Sequence, residues 1–162
     1  MSENNTYEGN NMRASNIYEV RRFKKSDLPD VKNLDDMSGN YVYEFLDGLD
    51  EEEFASCSGY GIFVNGDLAG YCTLGGGELY DRFDEYKYGD RCLSDVFIKE
   101  QYRGKHLGST LVSDAISLEL ANGNESIFAT LLDDSLLEFY SKLGFNFIDI
   151  NAGVIFKNNK GE

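Results

Sequence analysis

The stretch from Leu93 to Ala121, LSDVFIKEQYRGKHLGSTLVSDAISLELA, constrains the fold more than any other part of the chain. Val96, Phe97 and Ile98 favour β structure and predict a strand. Arg103-Gly104-Lys105-His106-Leu107-Gly108 follows as a tight basic loop. Beyond it Leu107, Leu111 and Ala115, beside Val112, Ile116 and Leu120, recur at helical spacing and predict a long helix. A glycine loop that opens a helix gathers several backbone N–H groups into one concavity, at the positive end of the helix dipole. That concavity suits an anion, phosphate above all. Arg103 and Lys105 add positive charge to it.

Those charges stand out because the chain is otherwise acidic, with a formal net charge of −14. Such a surface repels nucleic acid and anionic membranes, so neither is expected as a partner. It permits a cationic partner, and plain solubility explains it equally well. With 162 residues, 41% of them hydrophobic, and one proline, the sequence predicts a single domain over 17–156 with a sizeable core. A polar, Asn-rich arm (1–16) and a polar tail (157–162) flank it. Cys57, Cys72 and Cys92 are an odd number without a C-x-x-C spacing, which points to reduced thiols. His106 is the only histidine, so a zinc site has little to work with and no metal is expected. No basic leader precedes an apolar stretch, and no apolar run is long enough to span a bilayer. The expectation is a cytoplasmic protein, with a homodimer left open.

Along the chain, Ile17–Phe23 alternates as a first strand. Ser26-Asp27-Leu28-Pro29 starts a helix, with Ser26 as its cap, that runs to about Leu34. Tyr41–Leu49 and Glu51–Cys57 form one broken helix or two short ones, interrupted at Gly48. Gly61–Val64 and Asp67–Leu74 flank Asn65-Gly66, a hairpin with a type I′ turn. Gly75-Gly76-Gly77 is a loose loop, and 78–91 mixes acids with aromatics. The strand Cys92–Ile98 and the loop–helix unit follow, stopped by Asn122-Gly123-Asn124. Ile127–Leu132 is almost wholly apolar, as a strand covered on both faces would be. Ser135 and Glu138 fit a capping box for a helix ending at Gly144. Phe145–Ile150 and Gly153–Phe156 close the chain as two strands. The fold class is a mixed α/β sheet, antiparallel at its start. The 92–98 and 127–132 strands are parallel, since a helix connects them.

A second motif lies downstream. Asp133-Asp134-Ser135-Leu136-Leu137-Glu138-Phe139-Tyr140-Ser141-Lys142-Leu143-Gly144-Phe145 is a helix ending in Tyr-x-x-Leu-Gly-Phe. In this order, the two motifs resemble the GNAT superfamily of acyl-CoA-dependent N-acyltransferases, whose loop reads Gln/Arg-x-x-Gly-x-Gly/Ala. This chain has Arg103-x-x-His106-x-Gly108, with histidine at the middle glycine. The resemblance spans about 17–156. It implies a central, mostly antiparallel sheet flanked by helices, with two parallel strands that splay to admit the cofactor.

The resemblance also implies acetyl-CoA as co-substrate and direct transfer of its acetyl group to a primary amine. Carried over residue by residue, the cofactor falls to Arg103, Gly104, Lys105, His106, Leu107, Gly108 and Ser109 for the pyrophosphate. Val96, Phe97 and Ile98 would offer their backbone to the thioester arm. Asp133 stands where many relatives carry Asn, either against cofactor or as a helix cap. Tyr140 matches the usual general acid, a phenol able to hand a proton to the departing thiolate. The base is not legible. Cys92 and Ser94 occupy the positions where relatives place one. Asp95 should face the other side of the strand unless a bulge intervenes. Glu78, Asp81 or Glu85 would line the mouth, which leaves Glu78 and Asp95 as the named candidates. From Asp27 to Glu53 ten acids stand against one base, Lys32. An acidic, aromatic mouth suits a polyamine, an aminoglycoside-like amine or a basic peptide. The alternative is a non-catalytic module with this fold that senses acyl-CoA or docks a partner.

Overall fold

The Asn65-Gly66 hairpin forms as its sequence predicts, with both residues at positive φ (51° and 90°). It belongs to a computed structural model that describes residues 17–55, 59–75, 91–121, 126–129, 136–149 and 153–157. Strands β1 (Tyr18–Arg22), β2 (Gly59–Val64), β3 (Asp67–Gly75), β4 (Arg91–Ile98), β5 (Ser126–Ala129), β6 (Asn146–Asp149) and β7 (Gly153–Lys157) make one sheet in the order β1-β2-β3-β4-β5-β7-β6. Every neighbouring pair is antiparallel except β4 and β5, which are parallel. The helix between them, α4 (Leu107–Ala121), makes the crossover that a parallel pair requires. Lys157 pairs with Ser126, so the last strand takes in the first residue assigned to the tail.

Side-chain alternation sorts two cores onto the two sheet faces. Tyr60, Ile62 and Val64 of β2 pack with Leu111, Val112, Ala115 and Ile116 of α4, and with Tyr140 and Phe145. Phe63, Leu68 and Tyr71 face the other way, onto α1 (Leu28–Ser38), α2 (Val42–Asp47) and α3 (Glu51–Ala55) through Val31, Leu34, Leu46 and Phe54. The segment before β2 is therefore two short helices, in line with the break expected at Gly48.

The start and the end of α1 differ from the sequence reading. Ser26 is not a cap: it lies inside a 3-10 turn, Lys25–Asp27. The polar closure comes from Asp27, whose carboxylate accepts from Lys24 N–H at 2.6 Å and from both terminal nitrogens of Arg21. Burial alone would raise the Asp27 carboxyl. Arg21 and the Lys24 N–H outweigh it and hold the group below its ordinary range. Helix α1 also runs past Leu34 to Ser38 because Asp35, polar but buried, has partners. Its carboxylate accepts from the Tyr71 hydroxyl at 2.6 Å and from Tyr43 N–H at 2.7 Å. Burial, and then Asp35, pushes the Tyr71 hydroxyl above its usual range.

One charge sits in the α4 core. Glu119, 1% exposed, accepts from the Tyr60 hydroxyl and from Arg22 at 3.1 Å. Removing one partner of such a buried set typically costs about 3–5 kcal/mol, because it strands the other charge. The network ties β1 and β2 to the helix that carries the anion loop.

Candidate active site

The site begins where β4 and β5 part. Among the described residues they pair through Arg91–Leu93 against Ile127–Ala129, while β4 continues to Ile98. Past Leu93 no further β4–β5 pairing occurs among the described residues. The open edge of β4 can be read from its other side. Lys99 N–H donates to Ala69 O at 2.8 Å, so the pairs that exchange bonds with β3 are Phe97–Tyr71 and Asp95–Thr73. The N–H and C=O groups of Val96 and Ile98 must then point away from β3, toward the gap. Gly70 permits the close approach of β3 here, since a Cβ at that position would lie 2.5 Å from Phe97 O.

A cleft of about 560 Å³ fills the gap. Leu93, Ser94, Val96, Phe97 and Ile98 form one wall. Tyr102, Arg103, Gly104 and His106 through Ser109 form the second, and Phe139 and Tyr140 the third. The loop wall is built by two left-handed residues, Gly104 (φ 77°) and His106 (φ 63°). His106 C=O takes the first helical bond, from Thr110 N–H at 3.1 Å. Leu107, Gly108 and Ser109 therefore open the helix with N–H groups that have no intrahelical acceptor. This is the donor set expected of an anion site.

His106 holds the conformation that glycine adopts without a steric penalty, at a strain of about 1–2 kcal/mol. His106→Gly keeps the backbone donor and removes the strain, against the larger entropy loss of glycine on folding. We expect a net gain of about 0.5–1 kcal/mol, seen as a higher urea midpoint at unchanged m value. A lower midpoint would mean that the imidazole makes a contact worth more than the strain.

Tyr140 reaches the cleft from α5 (Leu136–Lys142). The Leu-Gly-Phe ending sets its position. Tyr140 O accepts from both Leu143 N–H (3.0 Å) and Phe145 N–H (3.1 Å), and Gly144 turns the chain at φ 97°. Phe145 thereby folds back so that its ring meets the Tyr140 ring at 5.2 Å; Phe139 meets it from another side at the same distance. The ring is 7% exposed, core and cleft wall at once.

The cleft thus gathers Val96, Phe97, Ile98, Arg103, Gly104, His106, Leu107, Gly108, Ser109 and Tyr140. Lys105 is exposed, its ammonium near Gln101 O at 3.5 Å. Asp95 stands on the opposite sheet face, donated to by the Thr73 hydroxyl at 2.8 Å. A bulge does interrupt β4. Thr73 pairs with Asp95 and the next residue, Leu74, with Leu93, so Ser94 is the extra residue. It rephases the strand: Leu93 and Val96 pair with Leu74 and Cys72 and share their sheet face, the one that packs on α4. Glu78, Asp81, Glu85 and Asp133 lie outside the described residues. Leu93, Tyr102 and Phe139 join the walls unanticipated, and Ser94, singled out as a position where relatives place a base, lines the cleft too. Tyr102 and Phe139 each immediately precede a singled-out residue, which was the available signal.

The comparisons with known proteins agree with this geometry. The model of the acetyltransferase (GNAT) family matches residues 26–145, and the chain belongs to that family. It is 28% identical over 101 residues to a thialysine N-epsilon-acetyltransferase of Bos taurus, covering 60% of this chain and 59% of that protein. It is 29% identical over 111 residues to the spermine/spermidine N(1)-acetyltransferase of Bacillus subtilis (strain 168), covering 62% and 71%. The first of these alignments spans less than two thirds of the relative's own length. Among solved structures, the GNAT family N-acetyltransferase YhbS of Escherichia coli in complex with CoA superposes at a TM-score of 0.65. That alignment has 15% identity over 91% of this chain and 85% of the other, and it establishes the shared fold.

Proposed function

We propose that this chain is an N-acetyltransferase that moves an acetyl group from acetyl-CoA to a primary amine by direct attack in a ternary complex, with residues 17–156 as its catalytic domain. The observation that carries the reading is the convergence of three elements on one cleft: an anion-binding helix start, an open strand edge and a tyrosine. The N–H groups of Leu107, Gly108 and Ser109 receive the pyrophosphate. The outward N–H groups of Val96 and Ile98 are the available donors to the thioester carbonyl, where charge develops in the transition state. The amine nitrogen attacks the carbonyl carbon, and the C–S bond breaks as the tetrahedral adduct collapses. Tyr140 gives its proton to the departing sulfur. The proton lost by the amine leaves through water toward Asp95, which lies on the far side of the same strand.

The acceptor approaches from that far side. The segment joining α1 to α2 covers it, tied to Tyr71 by Ser38 (2.9 Å) and Asn40 (3.2 Å). Tyr41 and Phe45 are exposed on and beside α2, and Asp36, Glu44 and Asp47, near them in sequence, are exposed as well. Aromatic faces and carboxylates together suit a cation, in keeping with the polyamine and thialysine acceptors named for two relatives. A cytoplasmic setting fits the buried free thiol of Cys72.

The test is incubation with acetyl-CoA and a panel of amines, read by free-thiol release and by mass. A polyamine or lysine-like amine should be acetylated, and its KM should rise with salt, because exposed charges are screened within about 8 Å at physiological ionic strength. A salt-independent KM would return the acids to a role in solubility. Slow thioester hydrolysis that no amine accelerates would favour the acyl-CoA-sensing alternative.

A further inference from the structure

The side chain of Arg103 does something other than supply charge to the loop. Its Nε donates to Ile98 O at 2.8 Å, five residues back on β4. Its guanidinium lies over the Phe97 ring, 5.3 Å from the centroid. Phe97 is itself held against Tyr71, at 6.3 Å between ring centres. The peptide unit that Arg103 grips is held at its other end as well, because the N–H belonging to it, that of Lys99, donates to Ala69 O at 2.8 Å. The last peptide plane of β4 is clamped across the strand.

The consequence follows from what the open edge offers. Val96 and Ile98 each turn one donor and one acceptor to the cleft. The pantetheine arm of an acyl-CoA carries amide groups that can pair with such an edge as an added strand would. An edge with two equivalent acceptors allows two registers, two residues or about 6.6 Å apart. A donor already on Ile98 O, with a positive charge beside it, makes that oxygen a poor acceptor for another N–H. Val96 O is the acceptor left. We propose that Arg103 is a positioning residue: by capping Ile98 O it fixes a single register for the pantetheine arm on β4 and so sets the depth of the thioester, rather than serving as a phosphate ligand. This rests on the reading of the cleft as an acyl-CoA site.

The test uses Arg103→Lys and Arg103→Met in the full chain, with the best amine of the panel as acceptor. Two donors are compared, acetyl-CoA and S-acetylpantetheine, which has no pyrophosphate. Amide exchange at Lys99 is followed in the cofactor-free proteins. Both variants should lose about 10- to 100-fold in kcat with both thioesters, the scale of a misplaced reacting group, and Lys99 exchange should quicken in both. Retained charge should not rescue Arg103→Lys, since an ammonium lacks the planar Nε–H. A loss confined to acetyl-CoA, appearing in KM and largely restored by lysine, would overturn the proposal in favour of phosphate binding. So would unchanged Lys99 exchange. A wild type that transfers acetyl to nothing would instead remove the acyltransfer reading, while Lys99 exchange would still report on the clamp.

Discussion

Tyr140→Phe should lower kcat by about 10²–10⁴-fold, the range for losing a positioned proton donor, while KM for acetyl-CoA stays nearly constant. The ring is kept, so its contacts with Phe139 and Phe145 at 5.2 Å survive. Stability should fall by no more than about 1–3 kcal/mol, the cost of losing a buried hydroxyl's hydrogen bond. Cofactor affinity should hold because backbone donors on α4 supply it. A fall in kcat and kcat/KM together marks an interaction made only in the transition state. A thioester with a more acidic leaving thiol should lose less, since its sulfur needs protonation less. Full kcat in the variant, with chemistry rate-limiting, would reduce Tyr140 to a packing residue.

Gly108→Glu should weaken CoA binding by about 10²-fold or more, the equivalent of two charge-assisted hydrogen bonds at about 1.5 kcal/mol each. Among the described residues, a Cβ at Gly108 would meet Ile98 Cγ1 alone, at an ordinary contact distance of 3.7 Å, so the backbone there has no reason to move. The carboxylate would enter the cleft beside the helix start and oppose a phosphate there. Gly108→Ala is the control, expected to bind CoA nearly as the wild type does. Calorimetry decides, with circular dichroism to verify the fold. An unchanged dissociation constant for Gly108→Glu would remove the α4 start from the cofactor site.

What the residues reveal in advance, and what they hide, has physical causes. The hairpin at Asn65-Gly66, helix α4 and the Tyr140–Phe145 ending were legible because each is written in local chemistry: a turn dipeptide, an apolar period, a tyrosine followed by Leu-Gly-Phe. The extent of α1 was not, because Asp35 looks like a solvated end until Tyr71, 36 positions away, supplies its partner. The positive φ at His106 was half legible, because the resemblance puts glycine at that position. Histidine is an ordinary residue for a surface loop, and the backbone angle of 63° bears out what the glycine of the motif implied. Arg103 read as a charge aimed at phosphate. Its bond to Ile98 O depends on how the 3-10 turn Glu100–Tyr102 brings the chain back on itself. The base remains the least legible role, since it hangs on which face of β4 each side chain takes.

That face is counted correctly only when the supernumerary Ser94 is left out. With the side chains of Leu93 and Val96 on one face and those of Asp95 and Phe97 on the other, one strand would, in the function proposed above, address two substrates that arrive from opposite directions. Such a strand tolerates a change of letter far better than a change of count away from its bulge. Removing Ser94 would take out the bulge and leave Leu93, Asp95 and Val96 on the faces they now hold, whereas a one-residue insertion elsewhere in β4 would turn every side chain on one side of it to the opposite face. Among diverging copies of this chain, the length of β4 should drift more slowly than its sequence. A variant that did shift it would exchange what faces the thioester with what faces the amine in a single event.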